Sequence, residues 1–78
     1  MITPNQIRMA RALLKWTVDD LSSKTNLPWA RIQFLEKAET FLDTHKEKVE
    51  TIKSVLEKEG IVFIDESDSL SETIRLKR

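Results

Sequence analysis

Apolar residues recur every three or four positions over much of the chain, a spacing typical of helices that bury one face. The first such segment follows Thr3, whose side chain can cap a helix with Gln6 as the other half of a capping box. This helix is predicted to begin at Pro4 and to end near Lys15. Trp16, which follows it, is expected in the core at the seam with the next helix. The apolar positions of the helix are Ile7, Ala10, Leu13 and Leu14.

A second periodic segment lies between Thr44 and Gly60. Thr44 and Glu47 have the spacing of a capping box, and Gly60 suits the left-handed position that follows a helix. We therefore predict a helix from Thr44 to Glu59, with a charged face turned to solvent. Its apolar positions are Val49, Ile52, Val55 and Leu56.

The chain between these segments is predicted to form two short helices joined by a tight turn. Thr17 and Asp20 form a further capping box, which predicts the start of the first helix. Asn26 marks the turn, because asparagine tolerates a left-handed backbone better than most non-glycine residues. Pro28 then restarts the helical pattern near the first position of a helix that runs to about Lys37.

This second short helix is predicted to have two different faces. Ile32, Leu35 and Glu36 lie on one side and are expected to pack inward. The opposite side spans roughly 140° at about 100° per residue. Its members are Trp29, Ala30, Gln33, Phe34 and Lys37. One face therefore packs against the domain while a complete second face is left outward.

The C-terminal residues change to a strand pattern. Ile61–Ile64 is β-branched and aromatic, and residues 73–78 alternate polar and apolar, so an antiparallel hairpin linked by residues 65–72 is predicted. An isolated hairpin is barely stable in water. We expect its partner to be the last helix of the same chain or the matching hairpin of a second subunit. The chain thus divides into a helical part, 1–60, and a hairpin, 61–78, of one domain.

The composition is that of one small globular domain of 78 residues, 40% hydrophobic and 33% charged. The absence of cysteine, of a long apolar run and of a signal-peptide pattern leads us to expect a cytoplasmic protein without membrane association. The net charge is zero, but residues 1–42 carry six basic and four acidic side chains, whereas residues 43–78 carry seven and nine. The small basic excess therefore lies in the half of the chain that contains the two short helices.

Few residues are suited to catalysis or to metal binding. His45 is the only histidine and is expected on the surface at a helix start. Asp65, Glu66 and Asp68 resemble part of a calcium loop but lack its glycine and its distal glutamate. A chain with one glycine has no glycine-rich phosphate loop, and no activated nucleophile stands out. We therefore expect no enzymatic activity, no metal and no cofactor.

The residues around the predicted turn resemble the helix-turn-helix of the Cro/phage-repressor (XRE) family of DNA-binding regulators. The matching positions are Thr17, Leu21, Ser22, Asn26, Leu27, Ile32 and Glu36. Arg11 adds to the resemblance, because this family commonly pairs an arginine there with the glutamate that Glu36 matches. Some members also end in a segment similar to residues 60–64 followed by a short basic strand. The resemblance implies a mainly α fold, a four- to five-helix lambda-repressor-like helix-turn-helix domain with a short C-terminal β-hairpin and a structural Arg11–Glu36 ion pair.

The resemblance also implies a sequence-specific, DNA-binding transcriptional regulator that acts on double-stranded DNA as a homodimer. Residues 28–37 would form the recognition helix in the major groove. The side chains implied to contact bases are Trp29, Ala30, Gln33 and Phe34, and those implied to contact phosphates are Lys24, Arg31 and Lys37. Among them, Gln33 can pair with adenine through two hydrogen bonds.

The sequence departs from the family pattern at several positions. Val18 and Pro28 replace residues that are often polar and that help dock the unit on the DNA backbone. Trp29 and Phe34 make the outward face unusually apolar, and exposed aromatic residues also mark protein interfaces. Two alternatives follow. The second helix or the hairpin docks a protein partner, as in an adaptor or antitoxin-like interaction module, or Trp29 simply folds back over the domain.

Overall fold

The computed structural model describes residues 2–64 and 73–77. Within these ranges the chain forms four α-helices, a short 3₁₀ turn and two strands. In chain order they are α1 (Pro4–Leu14), α2 (Val18–Thr25), α3 (Trp29–Lys37), the 3₁₀ turn (Asp43–His45), α4 (Lys46–Lys58), β1 (Ile61–Ile64) and β2 (Thr73–Leu76). The prediction of a mainly helical domain with a terminal antiparallel strand pair is confirmed.

Part of the predicted hairpin lies outside the described residues. This part comprises the link 65–72, including Asp65, Glu66 and Asp68, and the final residue of the predicted second strand, Arg78. Within the described residues, β2 ends at Leu76, which is shorter than the predicted strand.

The first two helices begin at the predicted capping boxes. The Thr3 backbone N–H donates to the Gln6 side chain at 3.0 Å, and the Gln6 N–H donates to the Thr3 hydroxyl at 3.2 Å. Thr17 and Asp20 make the same exchange at 2.8 and 3.1 Å. Each box satisfies two backbone groups that the first turn of a helix leaves without an intrahelical partner. Lys15, with φ of 60°, ends α1 in the left-handed region.

The turn between α2 and α3 is closed by local hydrogen bonds. Asn26 adopts the predicted left-handed conformation with φ of 60°. The Thr25 hydroxyl donates to the Leu21 carbonyl at 2.7 Å and accepts from the Leu27 N–H at 3.3 Å. The Ser22 hydroxyl donates to the Leu27 carbonyl. These contacts fix the direction in which α3 leaves the turn. Pro28 is the residue before α3 rather than its first residue, since its ψ of 145° is extended.

The predicted start of α4 at Thr44 is wrong. Thr44 lies inside the 3₁₀ turn, and α4 begins at Lys46. A threonine cap requires an extended backbone at the capping residue, which a position inside a 3₁₀ turn does not provide. His45 closes this turn instead, because its Nδ1 accepts from the Leu42 N–H at 3.2 Å and its own N–H donates to the Leu42 carbonyl at 2.9 Å.

The core forms where all four helices meet β1. Its fully or almost fully buried large side chains are Ile7, Leu21, Ile32, Leu35, Val49, Ile52, Leu56 and Ile61. Val55, predicted on the inner face of α4, is only half-buried. Trp16 is partly buried and packs against the edge of the core between α1 and α2.

Leu13 departs from the predicted inner face of α1. Its side chain is 44% exposed, whereas Ile7 and Ala10 are fully buried. Arg11 is turned toward the domain instead, so the middle of the buried side of α1 runs along Ile7 and Leu14. At about 100° per residue, Leu13 lies more than a quarter of a turn away from Leu14 and reaches solvent.

The two strands pair antiparallel, with Ile61 opposite Leu76 and Phe63 opposite Ile74. This sheet packs on α4, one of the two partners predicted, and also on α1, which the sequence did not indicate. Part of the contact with α1 is polar, since Nε2 of Gln6 donates to the Ile64 carbonyl at 3.4 Å. The hairpin is therefore covered on one side by helices of its own chain.

Gly60 joins α4 to β1 with a left-handed φ of 99°. A β-carbon at this position would lie 2.8 Å from the carbonyl oxygen of Lys77, closer than side chains approach in proteins. The Gly60 carbonyl accepts from the Lys77 N–H at 2.6 Å. Glycine is therefore needed here for the backbone conformation, as predicted, and also for the close approach of the second strand, which was not predicted.

None of the helices in the described part of the chain has the length and the apolar character needed to cross a membrane.

Candidate nucleic-acid interface

A bidentate ion pair fastens α3 to α1. Arg11 donates from Nε to Oε2 of Glu36 at 2.8 Å and from Nη2 to Oε1 at 2.9 Å. The Glu36 side chain is 7% exposed and that of Arg11 is 23% exposed. Nη1 of Arg11 also donates to the Trp16 carbonyl at 3.0 Å, so one guanidinium joins α1, the α1–α2 junction and α3. The pair implied by the resemblance is present.

Hydrogen bonding to the Glu36 carboxylate raises the pKa of Arg11 above its ordinary value. The attraction between the opposite charges adds to this shift, while partial burial opposes it. An arginine is already protonated throughout the physiological range. The guanidinium therefore keeps its charge throughout that range.

Arg8 forms a second link between α1 and α3. Its Nη1 donates to the backbone carbonyl of Glu36, in the last turn of α3, where carbonyls lack intrahelical partners. By helical periodicity, Arg8 belongs to the polar side of α1. Nothing in the local pattern signals this contact, since it depends on how closely α1 and α3 approach. Two neighbouring turns of α1 thus hold the C-terminal half of α3.

With its inner side fixed, α3 presents its opposite side to solvent. Trp29 is 50% exposed and Phe34 is 54% exposed. Ala30 is also exposed, and Gln33 is half-buried. Because residues four apart are neighbours on a helix, Trp29 and Gln33 form one row and Ala30 and Phe34 form the next. We call these four residues the outer face of α3.

Phe34 is held in place by a histidine that the sequence assigned to the surface. The centre of the His45 ring lies 5.6 Å from the centre of the Phe34 ring, with an interplanar angle of 76°. It lies 6.1 Å from the centre of the Phe41 ring, with an interplanar angle of 85°. Both are edge-to-face arrangements of the kind that aromatic rings prefer. His45 is itself fixed by its bond to the Leu42 N–H. One edge of Phe34 is therefore packed while the remainder stays exposed.

The residues implied to contact phosphates are all exposed. Arg31 and Lys37 lie on α3, and Lys24 lies in the last turn of α2 with its Nζ 5.6 Å from the centre of the Trp16 ring. This distance is within the range of a cation–π contact. Between residues 24 and 38 the only acidic side chain is Glu36, whose charge Arg11 balances. Three exposed cationic side chains therefore lie on or next to α3, and the one carboxylate on that helix is paired.

Among the described residues, no group of three or more histidine, cysteine, aspartate or glutamate side chains is placed to hold a metal ion.

Comparisons with models of protein families, with curated proteins and with solved structures found no match to this chain.

Replacing Glu36 by alanine should destabilise the protein, because Arg11 would keep its charge in a partly buried site without an anionic partner. Breaking a buried ion pair costs about 3 to 5 kcal/mol, and because Arg11 is partly exposed we expect a loss of about 3 kcal/mol. This loss corresponds to a decrease in melting temperature of at least about 10 °C for a domain of this size. Thermal unfolding followed by circular dichroism measures the change.

The matched control is Glu50→Ala, which removes an exposed carboxylate from α4. We expect it to change the free energy of unfolding by no more than about 0.5 kcal/mol. If Glu36→Ala melted as the control does, the ion pair would not be what holds α3.

Proposed function

We propose that the protein is a sequence-specific, DNA-binding transcriptional regulator in which α2 and α3 form a helix-turn-helix unit. In this proposal α3 is the recognition helix and lies in the major groove, while α2 crosses the backbone. The observation that supports it best is the contrast between the two sides of α3. Ile32, Leu35 and Glu36 are buried, whereas the outer face is contiguous and accessible over most of its side chains.

The local charge supports a polyanionic partner. Lys24, Arg31 and Lys37 are exposed around the outer face, and the single acidic side chain among residues 24–38 is neutralised by an ion pair. For a dimer with three phosphate contacts per subunit, we expect a plot of log affinity against log salt concentration to have a slope of about −5. Because the whole chain has no net charge, we expect weak binding to random DNA.

Gln33 is assigned to base recognition. It lies within the outer face, one turn after Trp29. A glutamine amide can both accept from N6 and donate to N7 of adenine, a pattern that no other base offers in the major groove. The proposal includes no catalytic step and no bound cofactor, and it places the protein in the cytoplasm.

We also propose that the protein binds DNA as a homodimer through the terminal sheet and the adjoining surface of α1. Met9, Ala12 and Leu13 on α1 line a shallow apolar groove of about 440 Å³ together with Ile74 on β2. Two strands leave an open edge on each side of a sheet, and such edges favour pairing with another chain. To read two half-sites, such a dimer must present its two copies of α3 about 34 Å apart, the spacing of successive major grooves.

A protein-interaction module, with an adaptor or antitoxin-like role, is the second candidate function. The observation that favours it is the exposure of large apolar side chains near α3. Beside Trp29 and Phe34, Leu42 in the following loop is 61% exposed. Exposed aromatic and aliphatic groups of this kind are typical of surfaces that bind another protein.

Selection of bound sequences from a random duplex pool, at about 50 and 200 mM salt, tests the proposed function. We expect a palindromic motif for the unaltered protein. Gln33→Ala should lose the preference at one position in each half-site, which corresponds to a discrimination of about 1 to 3 kcal/mol.

The control Ser54→Ala, an exposed position on α4, should select the unaltered motif. An absence of enrichment even at the lower salt concentration would contradict DNA binding and favour the protein-interaction module.

Leu13→Lys tests the dimer interface. A lysine in the groove would introduce a charge that a second subunit would have to bury, so we expect a monomer by sedimentation velocity where the unaltered protein sediments as a dimer. Leu42→Lys, at another exposed leucine, should remain dimeric. If both variants kept the sedimentation coefficient of the unaltered protein, the interface would lie elsewhere.

A further inference from the structure

The outer face of α3 is unusual for a DNA-reading surface because most of its accessible area is apolar. Trp29 and Phe34 are each about half exposed, and Ala30 offers only a methyl group. Of the four side chains, only that of Gln33 can both donate a hydrogen bond to a base edge and accept one from it. A ring left exposed to water gains free energy when an apolar group covers it. The apolar character of the outer face therefore indicates which base edges it would contact favourably.

Ala30 and Phe34 form a compact apolar pair. They are four residues apart and thus adjacent along the helix surface. The contact with His45 restricts the Phe34 ring, and the bond between His45 and the Leu42 N–H restricts His45 in turn. Little side-chain freedom remains to be lost when Phe34 meets a ligand, which favours binding at this position.

In the major groove, the edges of the bases present hydrogen-bond donors and acceptors, with one apolar group among them, the C5-methyl of thymine. Ala30 and Phe34 have no polar side-chain atom with which to satisfy a donor or an acceptor. Against guanine, cytosine or adenine they would leave base edges unpaired, at a free-energy cost. Against thymine they would cover a methyl group.

The charges nearby favour DNA as the occupant of this apolar surface. Arg31 and Lys37 lie on α3 itself, and neither has an acidic neighbour on that helix apart from the neutralised Glu36. Such an arrangement complements phosphates on either side of a groove better than it complements a purely apolar partner surface. Gln33, in the adjacent row, suits the adenine of an A·T pair.

We propose that α3 selects a half-site rich in A·T pairs, in which the methyl groups of two neighbouring thymines pack against Ala30 and Phe34 while Gln33 pairs with an adenine. This inference rests on the proposed function and names the bases that it reads. Trp29, at the start of α3, provides a further apolar contact in the row of Gln33.

Replacement of thymine by deoxyuridine tests the inference, because it removes the methyl group and leaves base pairing unchanged. In the selected duplex, substitution at either of two positions in a half-site should lower the affinity of the protein about fourfold, which is the effect of one buried methyl or methylene group. Substitution at both positions should lower the affinity about 15-fold. Thymines in flanking DNA should be insensitive. Affinities that stay within about twofold for every thymine in the motif would overturn the inference.

Protein variants assign the methyl contacts to residues. In Phe34→Ala, replacement of thymine should no longer change the affinity at one of the two positions. Leu42→Ala, which removes another exposed apolar side chain, should keep the full fourfold effect. Persistence of that effect in Phe34→Ala would contradict the assignment. Because Phe34 contacts His45, Ala30→Ser serves as a second variant that leaves this contact intact, and it should reduce the effect at the other position.

The outcomes separate this inference from the function on which it rests. Enrichment of a palindrome without sensitivity to deoxyuridine, or with G·C pairs at the central positions of each half-site, would overturn the thymine contacts and leave DNA binding standing. A complete absence of enriched duplexes would overturn both, and the apolar surface would then belong to a protein interface.

Discussion

The ion pair between Arg11 and Glu36 is the interaction on which the rest of the site depends. A helix of nine residues is too short to be stable in isolation, so α3 exists because its inner side is held by the domain. Ile32 and Leu35 supply buried apolar area, but apolar contacts have no fixed direction. The bidentate pair adds direction, because a planar guanidinium and a carboxylate meet in one geometry. Rotation of α3 about its axis would break it, and so the same residues stay outward.

Much of this arrangement was predictable from the sequence, because it depends on residues close together in the chain. Capping boxes at Thr3 and Thr17 involve partners three positions away. The left-handed residue at Asn26 and the glycine at position 60 follow from backbone preferences of single residues. The inner side of α3 follows from helical periodicity alone. The Arg11–Glu36 pair was the exception, since its residues are 25 positions apart and only a family resemblance suggested them.

The features that the sequence did not predict depend on where separate elements meet. Leu13 is exposed because Arg11 turns inward and shifts the buried side of α1. α4 begins after the predicted Thr44 because Asp43–His45 forms a 3₁₀ turn, and the His45 ring of this turn meets two aromatic rings of other segments. The His45 side chain bonds the Leu42 N–H at the start of this turn, a contact that depends on the path of the loop. The outer face of α3 is likewise defined by the fold. The structure shows which of its side chains are accessible, and their chemistry suggests a ligand.

Titration of the ¹⁵N-labelled protein with its selected duplex, followed by NMR, tests the central claim most directly, namely that the inner side of α3 is fixed so that its outer face is free to bind DNA. We expect the largest shifts at the Trp29 indole, the Gln33 side-chain amide and the backbone of Ala30 and Phe34. The Arg11 Nε–H signal should stay unchanged, since its partner remains in place. Shifts confined to α1 and the terminal sheet, or loss of the Arg11 signal on binding, would contradict the account.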